Sequence, residues 1–229
     1  MRDDSPHIGT LGERSLHAAL KQALAQPDDL LEQRVDGYVI DIVRGDLLIE
    51  IQTRSFHAMK RKLRRLLPDH PIHLIHPIAA QRWIRKLGPD GETLIERRKS
   101  PKRGTVYDVF RELVSFPDLV GHANLTLEVM LVHEEEIRCK DGQGSWRRKG
   151  WSIIDHKLLA IVERHLFREP DDLIALLPDE LPDPFTNRQL AETLGIRMDL
   201  AQKMTYCLRG MDALAVTGKQ GRSHLHQII

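Results

Sequence analysis

The chain has 229 residues, of which 41% are hydrophobic, 29% charged and 5% aromatic, with a formal net charge of +1. That balance excludes a disordered or fibrous polymer, and near-neutrality removes any argument for a polyanion partner from net charge alone. Cys139 and Cys207 have neither CxxC spacing nor an even framework, which predicts two free thiols in a reducing cytoplasm rather than disulfides or structural zinc.

The first ten residues, MRDDSPHIGT, are acidic and polar, unlike a signal peptide. No apolar run approaches the ~20 residues that a membrane helix needs. The expectation is a soluble cytoplasmic protein with no membrane partner. From Leu11 to Ala25, Leu16, Leu20 and Leu24 recur at spacing four beside Ala19 and Ala23, which predicts an amphipathic helix stopped by Pro27.

Two strands follow within Val35–Thr53, turning at Arg44-Gly45-Asp46. Asp36, Asp41 and Glu50 interrupt their apolar runs, where a buried sheet would favour Val or Ile. Strand alternation puts Glu50 and Gln52 on one face. Which aspartate joins them depends on the turn. A three-residue loop pairs Val43 with Leu47 and sets Asp36 on the Glu50 face; a two- or four-residue loop brings Asp41 opposite Glu50 instead, because one step of register exchanges the faces. Two ionised carboxylates ~4 Å apart repel by roughly 4 kcal/mol at an effective dielectric of ~20. Such a pair requires a cation, a proton or distance, and Mg²⁺ accepts one or two carboxylates while filling its other positions with water and phosphate oxygens.

After Thr53 the period changes. Phe56, Met59, Leu63, Leu66 and Leu67 share one helical side, with Ser55 as cap and Pro68 as stop. The rest of that helix is basic, in KRKLRR (Lys60–Arg65), and further basic runs lie at Arg97–Arg103 and Arg147–Lys149, whereas acids gather in HEEEI and near Asp171–Asp183. Ile72–Ile78 reads as a strand, Thr105–Phe116 as a helix and Leu125–Ile137 as a strand. His70, His73 and His76 stand three apart, but a strand turns His73 and His76 to opposite sides and no Cys or carboxylate completes a zinc set.

Gly and charge replace periodicity at Cys139–Gly150, which suggests a first domain over 1–140, a linker over 141–150 and a second domain over 151–229. Ser152–Phe167 reads as a helix with Ile154, Leu158, Ile161 and Val162 inward. Thr186 with Gln189 forms a capping box, and Gly195 suits a left-handed stop. A further helix from about Asp199 buries Leu200, Met204, Cys207, Leu208 and Met211, directing Gln202, Lys203, Thr205 and Arg209 outward, and the tail forms two short strands. Helix, turn, helix and hairpin resemble a winged helix.

The N-terminal constellation resembles the PD-(D/E)XK nuclease superfamily: a first helix with Gly12-Glu13 and His17, then Asp36, then Glu50-Ile51-Gln52, then a helix. The resemblance covers roughly Leu11–Ile78. It implies a restriction-endonuclease-like α/β fold, a mixed sheet flanked by helices, and hydrolysis of DNA phosphodiesters with Mg²⁺ or Mn²⁺. Under it Asp36 and Glu50 hold the metal, Gln52 positions the water and Glu13 completes the shell or orients a water from the first helix. Gln52 departs from the family's usual Lys and cannot place a positive charge beside developing negative charge; Lys60 or Arg54 is the candidate replacement. Lys60, Arg61, Arg64, Arg98 and Lys102, with Lys203, Arg209 and Arg222 in the C-terminal module, are the expected DNA contacts. The alternative is a catalytically inactive nuclease fold acting as a DNA-binding regulator. A homodimer is left open.

Overall fold

The computed structural model describes residues 12–229, the side chains of residues 12–14 and of Arg147 excepted. The chain is mixed α/β. Helix α1 (Gly12–Leu24) precedes the meander β1 (Leu30–Val35), β2 (Tyr38–Arg44) and β3 (Leu47–Ile51), all antiparallel. Helix α2 (Lys60–Leu66) then leads into β4 (Ile72–Leu87), which runs parallel to β3 with Glu50 registered on Leu74. β5 (Leu94–Lys99) folds back on β4; α3 (Phe110–Leu113), β6 (Leu125–Cys139), β7 (Ser152–Phe167) and α4 (Pro170–Ile174) follow. The chain ends in α5 (Asn187–Leu194), α6 (Met198–Gly210) and the hairpin β8 (Leu214–Gln220) and β9 (Ser223–Ile228). Strand order in the large sheet is β1-β2-β3-β4-β6-β7, with β5 paired to β4 off that path. Among the described residues no helix is long and apolar enough to cross a membrane.

The chain forms two compact units. One holds the described part of Met1–Pro27 with Pro77–Thr105 and Met130–Arg164. Here the acids of β6 answer the bases of β4 and β5. Glu134, Glu135 and Glu136 are at most 5% exposed. Arg82 donates to Glu134, Arg97 Nε lies 2.6 Å from Glu135 Oε1, and Arg138 Nη2 2.5 Å from Glu136 Oε1. Buried carboxylates survive only when paired in this way. Burial would raise Glu134, but the His156 hydrogen bond and the Arg82 charge outweigh it and hold the carboxyl below its ordinary value.

The other unit comprises Asp28–His76, Val106–Val129 and His165–Ile229. Phe56 stacks on Phe116 with centroids 5.2 Å apart and meets the His76 ring edge-on at 4.9 Å. The Phe56 backbone N–H donates to Glu112 Oε2 at 3.0 Å, tying the loop after β3 to α3. Helix α6 seals against α3: Cys207 Sγ donates to Phe110 O at 3.7 Å, and Arg111 reaches Asp199 at 2.7 Å. Burial pushes the Cys207 thiol up to about 12, so it is inert. Gly210 lies against Pro117, where an added Cβ would stand 2.8 Å from the ring. Both cysteines are free and buried.

The Thr186 capping box with Gln189 and the left-handed Gly195 (φ 62°) stand as the sequence predicts, and α6 buries the five residues expected of it. Ser152–Phe167 is a strand, not a helix. Its run of Ile, Leu and Val fits either period, and pairing in the sheet decides between them. Thr205 faces inward rather than out: it is 2% exposed and donates to Asn187 Oδ1 at 2.7 Å. β1 and β5 give no sequence signal, because both are exposed strands without apolar alternation.

Candidate functional site

The β2–β3 turn has two residues, Gly45-Asp46, with Arg44 registered on Leu47 and Gly45 at φ 57° in the first turn position. This two-residue loop is one of the turn lengths that direct Asp41 rather than Asp36 toward Glu50. The registered ladder runs from Arg44/Leu47 to Ile42/Ile49, and the next positions are Asp41 and Glu50. There the pairing changes character. The Ile51 backbone N–H donates to Asp41 Oδ2 at 2.8 Å, and the Asp41 backbone hydrogen-bonds the Glu50 carboxyl. The carboxylates thus replace the rungs of the ladder where the strands part.

Lys62, on α2, donates to Glu50 Oε1 and to the Val39 carbonyl. Its side chain is 13% exposed. Glu50 itself is 6% exposed. Burial raises Glu50 to about 7, against the opposing charge and hydrogen bond of Lys62, and the neighbouring Asp41 charge raises it further. A carboxyl poised near neutrality beside a second carboxylate and a half-buried ammonium is the kind of grouping that functional sites use. When both acids are ionised, two negative charges face one positive charge.

The other sequence-predicted residues scatter. Asp36 stands in the β1–β2 turn at φ 49°, followed by Gly37 at φ 84°, the Asp-Gly pair that such a tight hairpin requires. Its carboxylate pairs with Arg65 at 3.1 Å and approaches His70 at 3.8 Å. The acid beside Glu50 is therefore Asp41. Gln52 donates its amide to Ser55 O at 2.8 Å, and its own carbonyl meets His76 Nδ1 at 2.6 Å, so it braces the loop after β3. The buried His76 is lowered by that burial. His73 instead meets Glu128 at 2.8 Å, so the three histidines serve different neighbours. Among the described residues no three His, Cys, Asp or Glu converge as a ready-made metal cluster. The side chain of Glu13 lies outside the described residues.

Lys62, rather than Lys60 or Arg54, supplies the charge beside Glu50. A signal for it exists in the sequence. On α2, Lys62 lies three residues after Met59 and four before Leu66, at the margin of the buried stripe, whereas Arg61, Arg64 and Arg65 are exposed. Arg64 pairs with Asp118 at 2.6 Å and Arg98 with Glu96 at 3.2 Å, both on the surface. Lys102 is exposed, and its backbone N–H donates to Ser100 Oγ.

In the C-terminal segment Arg209 is exposed and Lys203 half-buried. Arg222 occupies the β8–β9 turn and borders a pocket of about 390 Å³ with Asn187, Arg188, Met198, Gln202, Ser223 and His224. Among the described residues no carboxylate lines it.

A family model described as "Domain of unknown function (DUF8091)" matches residues 14–168, more than half of the chain. A relative from Treponema pallidum (strain Nichols), described as "Uncharacterized protein", is 33% identical over 224 residues, covering 96% of this chain and 87% of its own. No solved structure matches.

Proposed function

The chain belongs to the DUF8091 family, and on that footing we propose that it is a divalent-metal-dependent DNA nuclease whose acidic centre is Asp41 and Glu50 and whose positive charge comes from Lys62. The observation that carries this reading is the convergence of those three side chains where the β2–β3 ladder opens. It supports a restriction-endonuclease-like reading of the sheet, with Asp41 in the place that the resemblance gives to Asp36 and Lys62 supplying the charge of the family's usual Lys.

The donors fit a hard cation: two carboxylates on a rigid hairpin, one of them buried and short of positive charge. Bound there, Mg²⁺ or Mn²⁺ would polarise a phosphate and lower the pKa of an attacking water. The chain's own residues do the rest. Asp41 is held by the Ile51 N–H, so its carboxylate is oriented before any ligand arrives. Glu50 releases its proton near pH 7, making the site anionic in the range where hydrolysis is wanted. Lys62 holds an ammonium where negative charge would build on the phosphate, which Gln52 cannot do.

The winged-helix-like reading of α5, α6 and β8–β9 gives the protein a means of holding DNA. Arg188 and Arg222 supply phosphate contacts, and Asn187 and Gln202 supply amides suited to base edges. Replacing Arg188 and Arg222 together by Glu is expected to weaken DNA binding by roughly tenfold or more and to flatten its salt dependence by about two phosphate contacts. Binding isotherms at several salt concentrations check this, and an unchanged slope would remove the pocket from the DNA interface.

Cleavage of plasmid and branched DNA with Mg²⁺ or Mn²⁺, comparing the wild type with Asp41→Ala and Asp36→Ala, tests the whole reading. Loss of cleavage in Asp41→Ala with retention in Asp36→Ala is the expected result. A DNA-binding regulator without chemistry is the second reading, favoured by the commitment of Gln52 to Ser55; tight binding with no cleavage in either metal selects it.

A further inference from the structure

β7 ends the strand order, with β6 as its one neighbouring strand among the described residues. It is 16 residues long and carries Ile153, Ile154, Leu158, Leu159, Ile161 and Val162, yet of its residues only Phe167 is buried. Leu159 is 45% and Val162 47% exposed. The strand contains no Pro or Gly, and a long apolar edge of this kind is a template for another strand. We propose that β7 is the self-association edge of this protein, pairing antiparallel with β7 of a second copy about a two-fold axis at Ala160.

Charge selects the partner and the register. A two-fold axis at Ala160 sets Lys157 of each copy opposite Glu163 of the other, with Leu158 opposite Val162 and Leu159 opposite Ile161 between them. Moving the axis to residue 159 sets Asp155 against Glu163. Opposed residues must share a face, so the axis passes through a residue, and moving it to residue 161 sets Lys157 against His165 and Glu163 against Leu159, with no ion pair. Of these three registers only the one centred on Ala160 pairs opposite charges, so charge favours that alignment. Glu163 also engages a group of its own chain, and a carboxylate with two oxygens accepts from both. The inference stands apart from the nuclease reading, because it concerns a different strand and a different observable.

Sedimentation velocity on the full chain tests it. The wild type is expected to be a dimer. Lys157→Glu or Glu163→Lys, each turning two attractive pairs repulsive, raises the dimer dissociation constant roughly tenfold or more. The double variant carrying both changes restores the dimer. Matching circular dichroism of all four proteins separates lost pairing from lost folding. Ala160→Cys adds a second test, because antiparallel partners on the axis have Cα atoms about 4.5–5.5 Å apart, within disulfide reach. Mild oxidation should then give a covalent dimer, the native thiols being buried. A monomeric wild type, single variants that dimerise unchanged, a double variant that stays dissociated, or Ala160→Cys that does not cross-link would overturn the proposal.

Discussion

Glu50→Gln is expected to abolish metal-dependent DNA cleavage and, at the same time, to make the protein more stable above pH 7. Burial holds Glu50 near 7, well above its ordinary 4.5. The folded state therefore binds a proton that the unfolded state has released between those values. By linkage, stability falls as pH rises from about 4.5 to 7 and is flat beyond. At 1.36 kcal/mol per pH unit the loss is at most about 3 kcal/mol. Gln keeps the shape, accepts the Lys62 hydrogen bond and never ionises, so the variant escapes that loss. Denaturant unfolding at pH 5 and pH 8 measures it: the two proteins should be close at pH 5 and diverge at pH 8 in favour of Gln. The same linkage makes wild-type Mg²⁺ affinity rise with pH up to about 7 and level off, since ligation needs the ionised acid. A variant less stable than wild type at pH 8 would mean that the Lys62 pair, not a ligand, accounts for the buried carboxyl.

Lys62→Met should lower kcat/KM by roughly 10²–10³, the scale on which loss of one oriented charge at a reacting phosphate or oxyanion is felt. It should also move the pH profile to the alkaline side. Lys62 is the cation whose charge and hydrogen bond draw the Glu50 pKa down against burial. Without it the carboxyl stays protonated further above pH 7, and the active form appears later in a titration. Lys62→Arg, which keeps the charge on a longer and flatter group, should recover part of the rate and most of the profile. If Lys62→Met cleaves at the wild-type rate with an unmoved profile, the ammonium takes no part in the chemistry.

The separate fates of Asp36 and Asp41 show where local pattern ends. Both interrupt apolar runs, and both lie near Glu50 in sequence. Asp36 is followed by Gly37 and takes a positive φ in a tight turn, a role that Asp-Gly announces locally. Asp41 lies inside β2, and only the length of the next turn decides which face it occupies. Ser152–Phe167 shows the same limit on a larger scale: its apolar spacing satisfies a helix, and its place in the sheet makes it a strand.

By itself, then, the amino-acid order determined α1, α2, the β2–β3 hairpin, the capped α5, the buried face of α6 and two cysteines outside any disulfide. Each follows from periodicity, capping or turn chemistry acting within a few residues. It also singled out Glu50 as an acid where the sheet wants an apolar side chain. The tertiary structure alone decided that Asp41 and Lys62 are its companions, that Asp36 belongs to a turn, and that β7 is an edge strand. Those outcomes depend on strand register and on contacts between segments far apart in the chain. A shift of one residue there reverses which side chains meet, while changing nothing in the local pattern from which periodicity is read.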